Sequence, residues 1–196
     1  MKYALDRFYK RFVDRPAEGL LLCGLFSLII YVVAFTLPYN LLALVRRDSP
    51  ADLGLITDYS WVASALYMVS ITALFGLYGA AIRLAGRLRG GQARWMIIGC
   101  GVASAMALCL VYPFGAVDVF VYIVRGRVLG IYGQNSLRVP PSTFPTQPYL
   151  PFESSWADVP SNYGPLWEWA AAGMARLGDG SLLRSLLAFK VLEFLA

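Results

Sequence analysis

An acidic residue, Asp118, directly follows a long apolar run and opens a polar segment that extends to Trp167. Helical spacing from Asp118 places Tyr122 and Arg125 on the same face as the acid, with Arg127 off that face. A carboxylate at a helix N-terminus meets the positive end of the helix dipole, which favours its charged form. Such a group can serve as a general base. The alternative is that Asp118 only caps a surface helix whose arginines bind lipid phosphate.

Other kinds of catalytic chemistry have little support in the sequence. The chain contains no histidine, which removes His-based acid–base catalysis, Ser-His triads and most zinc sites. Glu153 and Asp158 lack the spacing of metal ligands and there is no Asp-x-Asp motif, so we expect neither a metal nor a cofactor. The three cysteines lie in apolar runs, where buried small hydrophobic residues are a better interpretation than disulfides.

The composition is that of a membrane protein. Hydrophobic residues make up 58% of the chain and charged residues only 15%, against about 25% in globular domains. The mean hydropathy is +0.58. We therefore predict an all-α, polytopic helical membrane protein in contact with membrane lipids. The formal charge of +5 is distributed unevenly, so it indicates orientation and not nucleic-acid binding.

The part of the chain before Asp118 would anchor the polar segment. Residues 1–18 predict a cytoplasmic, interfacial amphipathic segment. Residues 19–117 contain three runs long enough to span a bilayer, which are Gly19–Val45, Ser60–Ile82 and Trp95–Val117. Pro38 is expected to kink or end the first of these runs.

Basic residues predict how the spans are oriented. The N-terminus is rich in Lys and Arg, and the loop Arg83–Arg94 has four arginines and no acid. By the positive-inside rule both are cytoplasmic, although Arg46 and Arg47 weigh mildly against this. The third span then exits outward. We expect a multi-pass protein of the cell (inner) membrane with residues 118–164 on its outer face.

Residues 118–164 predict an amphipathic outer-face helix followed by a long loop rich in proline and aromatic residues. Gly133 and Asn135 are turn positions at the end of the helix. The prolines reduce the entropy lost on ordering the loop, and the aromatic residues would pack it onto the membrane domain. The sequence of residues 165–196 predicts a re-entrant piece or a short span, followed by the start of a further span. We therefore expect the chain to be incomplete.

These residues resemble the GT-C class of membrane glycosyltransferases, and in particular bacterial polyprenyl-phosphate-mannose-dependent mannosyltransferases. The resemblance is carried by Asp118-Val119-Phe120, Tyr122, Gly126, Gly133-Gln134-Asn135, Trp156 and Tyr163-Gly164-Pro165-Leu166. Where the family has Asn-Pro-Tyr, this chain has Asn135-Ser136-Leu137. Members of the family have more spans than this chain, so a second chain could supply the missing ones.

The resemblance implies transfer of a sugar from a polyprenyl-phosphate donor to a glycan or lipid-linked acceptor on the outer face, with inversion. Asp118 would be the general base. The donor phosphate would be bound by Arg125, Arg127 or Lys190, and the acceptor side would be lined by Tyr122, Asn162 and Tyr163. The competing hypothesis is a non-catalytic multi-pass subunit or anchor, or an inactive fragment of such an enzyme.

The predicted orientation can be tested with a cysteine at Ser142. Because residues 118–164 are expected on the outer face, Ser142→Cys should react with a membrane-impermeant thiol reagent added outside intact cells. Labelling only from the cytoplasmic side would contradict the topology.

Overall fold

A computed structural model describes residues 15–46, 50–88, 91–115, 118–153 and 156–195 of the chain. These residues form two compact units. The first unit contains the described residues within 15–38 and 60–111, and the second contains those within 39–59 and 112–195. Most of the interfacial segment predicted at residues 1–18 lies outside the described residues.

The described part of the chain is helical and contains no β-strand. The first helix, Pro16–Ile30, continues directly into a π-helical segment, Tyr31–Thr36. In chain order the α-helices are α1 (Pro16–Ile30), α2 (Leu41–Leu44), α3 (Leu53–Ile56), α4 (Trp61–Ala85), α5 (Gln92–Cys109), α6 (Asp118–Gly130), α7 (Pro165–Leu177) and α8 (Leu182–Leu195).

The first unit contains three helices that are long and apolar enough to cross a membrane. They are Pro16–Thr36, α4 and α5. Pro16 begins the first of them, where its missing N–H costs no hydrogen bond. The helix ends at Thr36, two residues before Pro38, which cannot continue it. Together these helices identify an all-α polytopic membrane protein.

The spanning helices expose apolar side chains that a water-soluble protein would bury. Trp61 and Phe75 of α4 are 79% and 71% exposed, and Trp95 of α5 is 71% exposed. Both tryptophans stand near the start of a helix, where interfacial aromatic residues are common in membrane proteins. Lipid rather than protein is therefore the expected neighbour of these faces.

Helix α6 is the central helix of the second unit. The sequence predicted an amphipathic helix along the membrane surface, but most residues of α6 are buried. Its apolar residues Phe120, Ile123 and Val124 are at most 1% exposed. The arginines of its polar side, Arg125 and Arg127, are buried as well, because each pairs with an acid from a distant part of the chain.

Two glycines let α6 and α7 approach closely. A Cβ atom at Gly126 would lie 2.5 Å from the carbonyl oxygen of Ala171, and one at Gly130 would lie 2.6 Å from that of Ala172. Glycines four residues apart present a flat strip on a helix, as in the small-xxx-small contacts of membrane helices. This strip brings the start of α7 beside the cavity-forming face of α6.

The loop between α6 and α7 is packed onto α6 rather than extended into solvent. Phe152 stacks on Phe120 of α6, with ring centroids 5.3 Å apart. Tyr132 stacks on Phe144 at 4.2 Å. Gly133 begins the loop with a positive φ of 66°, a left-handed conformation that suits glycine. Aromatic packing thus fixes the path of the loop.

The α6–α7 contact can be tested by adding a single methyl group. Gly126→Ala should lower the free energy of unfolding by about 1–3 kcal/mol, because the new Cβ would overlap the Ala171 carbonyl. Thermal unfolding of the detergent-solubilised protein measures this change.

Gly173→Ala in α7 is the matched control, because nothing lies within 4 Å of the added Cβ atom. The control should be neutral or stabilising, since alanine favours a helix more than glycine does. Equal losses in the two variants would show that close packing is not what Gly126 provides.

Candidate active site

The polar segment encloses a cavity of about 210 Å³ within the second unit. Asp118, Val121 and Arg125 line one wall, because residues at this spacing share a face of α6. The loop before α7 supplies the remaining lining residues, which are Trp156, Val159, Pro160, Asn162 and Tyr163. Four of the residues predicted for the site therefore meet in one place: Asp118, Arg125, Asn162 and Tyr163.

Asp118 is the exposed acid of this cavity. It lies in the first turn of α6, where backbone N–H groups without helical partners stabilise a negative charge. Its side chain is exposed, in contrast to the residues that follow it in the helix. A ligand in the cavity can therefore reach the carboxylate.

Arg125 is held in place from two sides. Only 4% of the residue is exposed. Its Nε atom donates to Oε1 of Glu153 at 2.7 Å, and its Nη1 atom donates to Oδ1 of Asn162 in a long hydrogen bond of 3.5 Å. A guanidinium has five N–H donors. These two bonds therefore fix Arg125 and leave donors for a ligand.

Glu153 is a buried carboxylate at the end of the 3₁₀ turn Leu150–Glu153. Burial raises its pKa to about 7, although the hydrogen bond and charge of Arg125 act to lower that pKa. Its second oxygen, Oε2, has no hydrogen-bond partner among the described residues. The ion pair therefore holds Arg125 and Glu153 in place, and the Glu153 carboxyl has little contact with solvent.

A second buried acid, Glu168, fixes the start of α7. Its two oxygens accept hydrogen bonds from the hydroxyls of Ser136 and Ser161, each at 2.5 Å. The Ser161 hydroxyl also accepts the backbone N–H of Tyr163 at 3.3 Å. Since Asn162 lies between these two residues, Glu168 positions the loop wall of the cavity.

Tyr122 lies behind the cavity wall. Its ring contacts Tyr163, Trp167 and Phe189, with centroids 5.2, 4.9 and 6.3 Å away. Burial, and to a smaller extent a hydrogen bond with Tyr163, raises the pKa of Tyr122 to about 12. Tyr122 does not line the cavity but supports Tyr163, which does.

Arg127 and Lys190, the other predicted phosphate ligands, do not line the cavity. Nη1 of Arg127 pairs with Oδ1 of Asp179 at 2.6 Å, and its guanidinium carbon lies 5.2 Å from the centre of the Tyr149 ring. This pairing lowers the pKa of Asp179. The arginine therefore joins α6 to the connection between α7 and α8.

Sequence reasoning missed the acids and hydroxyls that support the cavity. Glu153 lies 28 residues after Arg125, and Glu168 lies 32 residues after Ser136, so no helical or strand period relates the partners. The available signal was chemical. An acid that is buried within an aromatic, proline-rich loop, as Glu153 is, requires a cation or hydroxyl nearby.

A family model described as alpha-(1->6)-mannopyranosyltransferase, N-terminal domain, matches residues 21–196. The match includes α4, α5, the first spanning helix from Leu21 onward, and every residue that lines the cavity. Comparison with curated proteins and with solved structures found no match.

The Arg125–Glu153 pair can be tested by a double-mutant cycle. Arg125→Met and Glu153→Met should each lower the free energy of unfolding by about 3–5 kcal/mol, because one leaves the buried Glu153 carboxyl and the other the buried Arg125 guanidinium without its partner. The double variant should lose clearly less than the sum of the two, as measured by unfolding in detergent.

The exposed pair formed by Arg15 and Glu18, also 2.7 Å apart, provides the control. Arg15→Met should leave stability unchanged within error, because exposed ion pairs contribute little. Additive losses at Arg125 and Glu153 would show that the two side chains are not coupled.

Proposed function

The chain belongs to the alpha-(1->6)-mannopyranosyltransferase family, and we propose that it transfers a mannosyl unit from a polyprenyl-phosphate donor to an acceptor hydroxyl, with Asp118 as the general base. The observation that carries this proposal is the cavity that joins Asp118 to Arg125, Asn162 and Tyr163. An exposed acid and a fixed cation in one small cavity suit the displacement of a phosphate by a hydroxyl.

The proposed reaction is a single displacement. The acceptor hydroxyl gives its proton to the Asp118 carboxylate as its oxygen attacks the anomeric carbon of the donor. The bond between that carbon and the phosphate oxygen breaks, and polyprenyl phosphate leaves with the electron pair. Attack from the side opposite the phosphate inverts the anomeric centre. Proton removal of this kind is typical of general-base catalysis.

The leaving phosphate needs its growing charge stabilised more than it needs a proton. Arg125 is proposed for this role, since it lines the cavity and has N–H donors beyond those bound to Glu153 and Asn162. Arg127 is held by Asp179 away from the cavity lining, so we assign it to the support of α6. A role for Lys190 in phosphate binding stays a prediction.

Asn162 and Tyr163 are proposed to contact the acceptor. Asn162 is exposed on the cavity wall and offers an amide to sugar hydroxyls, while Tyr122 supports the ring of Tyr163. The loop between α4 and α5 is rich in arginine, which by the positive-inside rule supports a cytoplasmic position. On this basis we propose that residues 118–164 lie on the outer face of the cell membrane, where they would meet glycan or lipid-linked acceptors.

Removal of the Asp118 charge tests the proposal. In membranes that contain the full chain, Asp118→Asn should lower transfer of labelled mannose from a polyprenyl-phosphate donor by about 100-fold or more, since the amide cannot accept the proton.

Asp158→Asn is the matched control, because Asp158 is an exposed acid of the loop between α6 and α7 and does not line the cavity. It should transfer mannose at the wild-type rate. If Asp118→Asn were also as active as wild type, Asp118 would not be the base. No transfer by wild type would favour the competing hypothesis of a non-catalytic subunit.

A further inference from the structure

Trp156 differs from the other aromatic residues of the loop. Phe144, Tyr149 and Phe152 each contact another aromatic ring. Within the described ranges Trp156 contacts none, and its side chain is 59% exposed. A lone exposed aromatic residue is ordinary on a protein surface. This one, however, forms a wall of the cavity that contains Asp118.

The backbone around Trp156 is bound to Glu153, the residue whose side chain also holds Arg125. The N–H of Trp156 donates to the carbonyl of Glu153 at 3.1 Å, and the carbonyl of Ala157 accepts the N–H of Ser142 at 2.9 Å. Glu153 is in turn bound to Arg125. The backbone that carries the indole is therefore tied to the residue that fixes Arg125, and the indole ring projects from it without packing on another aromatic ring of the described residues.

The cavity combines one apolar face with a polar edge. Trp156 offers a large, rigid, apolar surface. Asp118, Arg125 and Asn162 offer an acceptor, a cation and an amide in the same lining. A pyranose ring has the complementary character, because its C–H bonds form an apolar face and its hydroxyls project from its rim.

We propose that Trp156 is the platform on which the acceptor's hexopyranose ring packs while its hydroxyl approaches Asp118. This inference rests on the proposed function. In (1→6) transfer the nucleophile is the primary hydroxyl on the exocyclic carbon, which extends beyond the ring. A ring held flat against the indole can therefore direct this hydroxyl into the cavity. In this proposal Trp156 determines the specificity for the acceptor, and binding of the donor phosphate does not depend on it.

Binding of an acceptor analogue in the absence of donor tests the platform without turnover. The probe is α-(1→6)-linked mannobiose, titrated into the purified full chain in detergent and followed by NMR. Trp156→Ala should raise its Kd about tenfold, and Trp156→Phe, which keeps an aromatic face, should change it by less than about threefold. Trp169→Ala is the matched control, because Trp169 is also exposed, at 69%, but does not line the cavity.

Transfer kinetics supply the second measurement. Trp156→Ala should raise the KM for the acceptor with little change in kcat and none in the KM for the donor. Equal Kd values for wild type and Trp156→Ala, or no saturable binding by wild type, would overturn the platform, as would an equal loss in Trp169→Ala. The binding measurement involves no proton transfer, so a failure of Asp118 as the base would leave its result unchanged.

Discussion

Arg125 and Glu153 form a buried ion pair that joins α6 to the loop before α7. Taking two charges out of water is costly, and such a pair often adds little net stability. The pair instead fixes the positions of the two side chains, because moving either one away would leave the other buried without a partner. The carbonyl of Glu153 holds the N–H of Trp156, and the guanidinium of Arg125 reaches Asn162. One interaction thereby sets the cation, the aromatic wall and the amide of the cavity relative to each other.

Two contacts of different kinds fix the position of the start of α7. Glu168 accepts two serine hydroxyls, and one turn later Ala171 lies against Gly126 of α6. The polar contact fixes α7 to the loop, while the close contact fixes it to α6. Ser136, one of the two hydroxyl donors, stands where the Asn-Pro-Tyr pattern of the resemblance would place proline. Proline has no hydroxyl, so Ser136 gives Glu168 a hydrogen bond that a proline could not give.

Local patterns predicted much of the fold and part of the site. Apolar run length predicted three spans, and helical spacing placed Asp118 and Arg125 on one face, as the cavity lining confirms. Spacing also placed Tyr122 there, but rings from α7 and α8 cover it, which a period within α6 could not reveal. Arg127 pairs with Asp179, 52 residues later. Helix α6 was expected at the surface but is buried, because long-range pairs of this kind satisfy its arginines. Local sequence patterns do not reveal such pairs.

In the proposed reaction, one helix face supplies both the base and the phosphate-binding cation. Asp118 and Arg125 are seven residues apart, and at 1.5 Å per residue this places them about 10 Å apart along the helix axis. In-line displacement requires the base and the leaving phosphate on opposite sides of the anomeric carbon, so a separation of this size suits the reaction. The two groups also differ in burial. Asp118 is exposed, as a group that must exchange protons with substrate and water should be, while Arg125 is buried and fixed, so it need not reorganise when charge develops on the phosphate. The different surroundings of the two side chains thus match the different demands of the two roles.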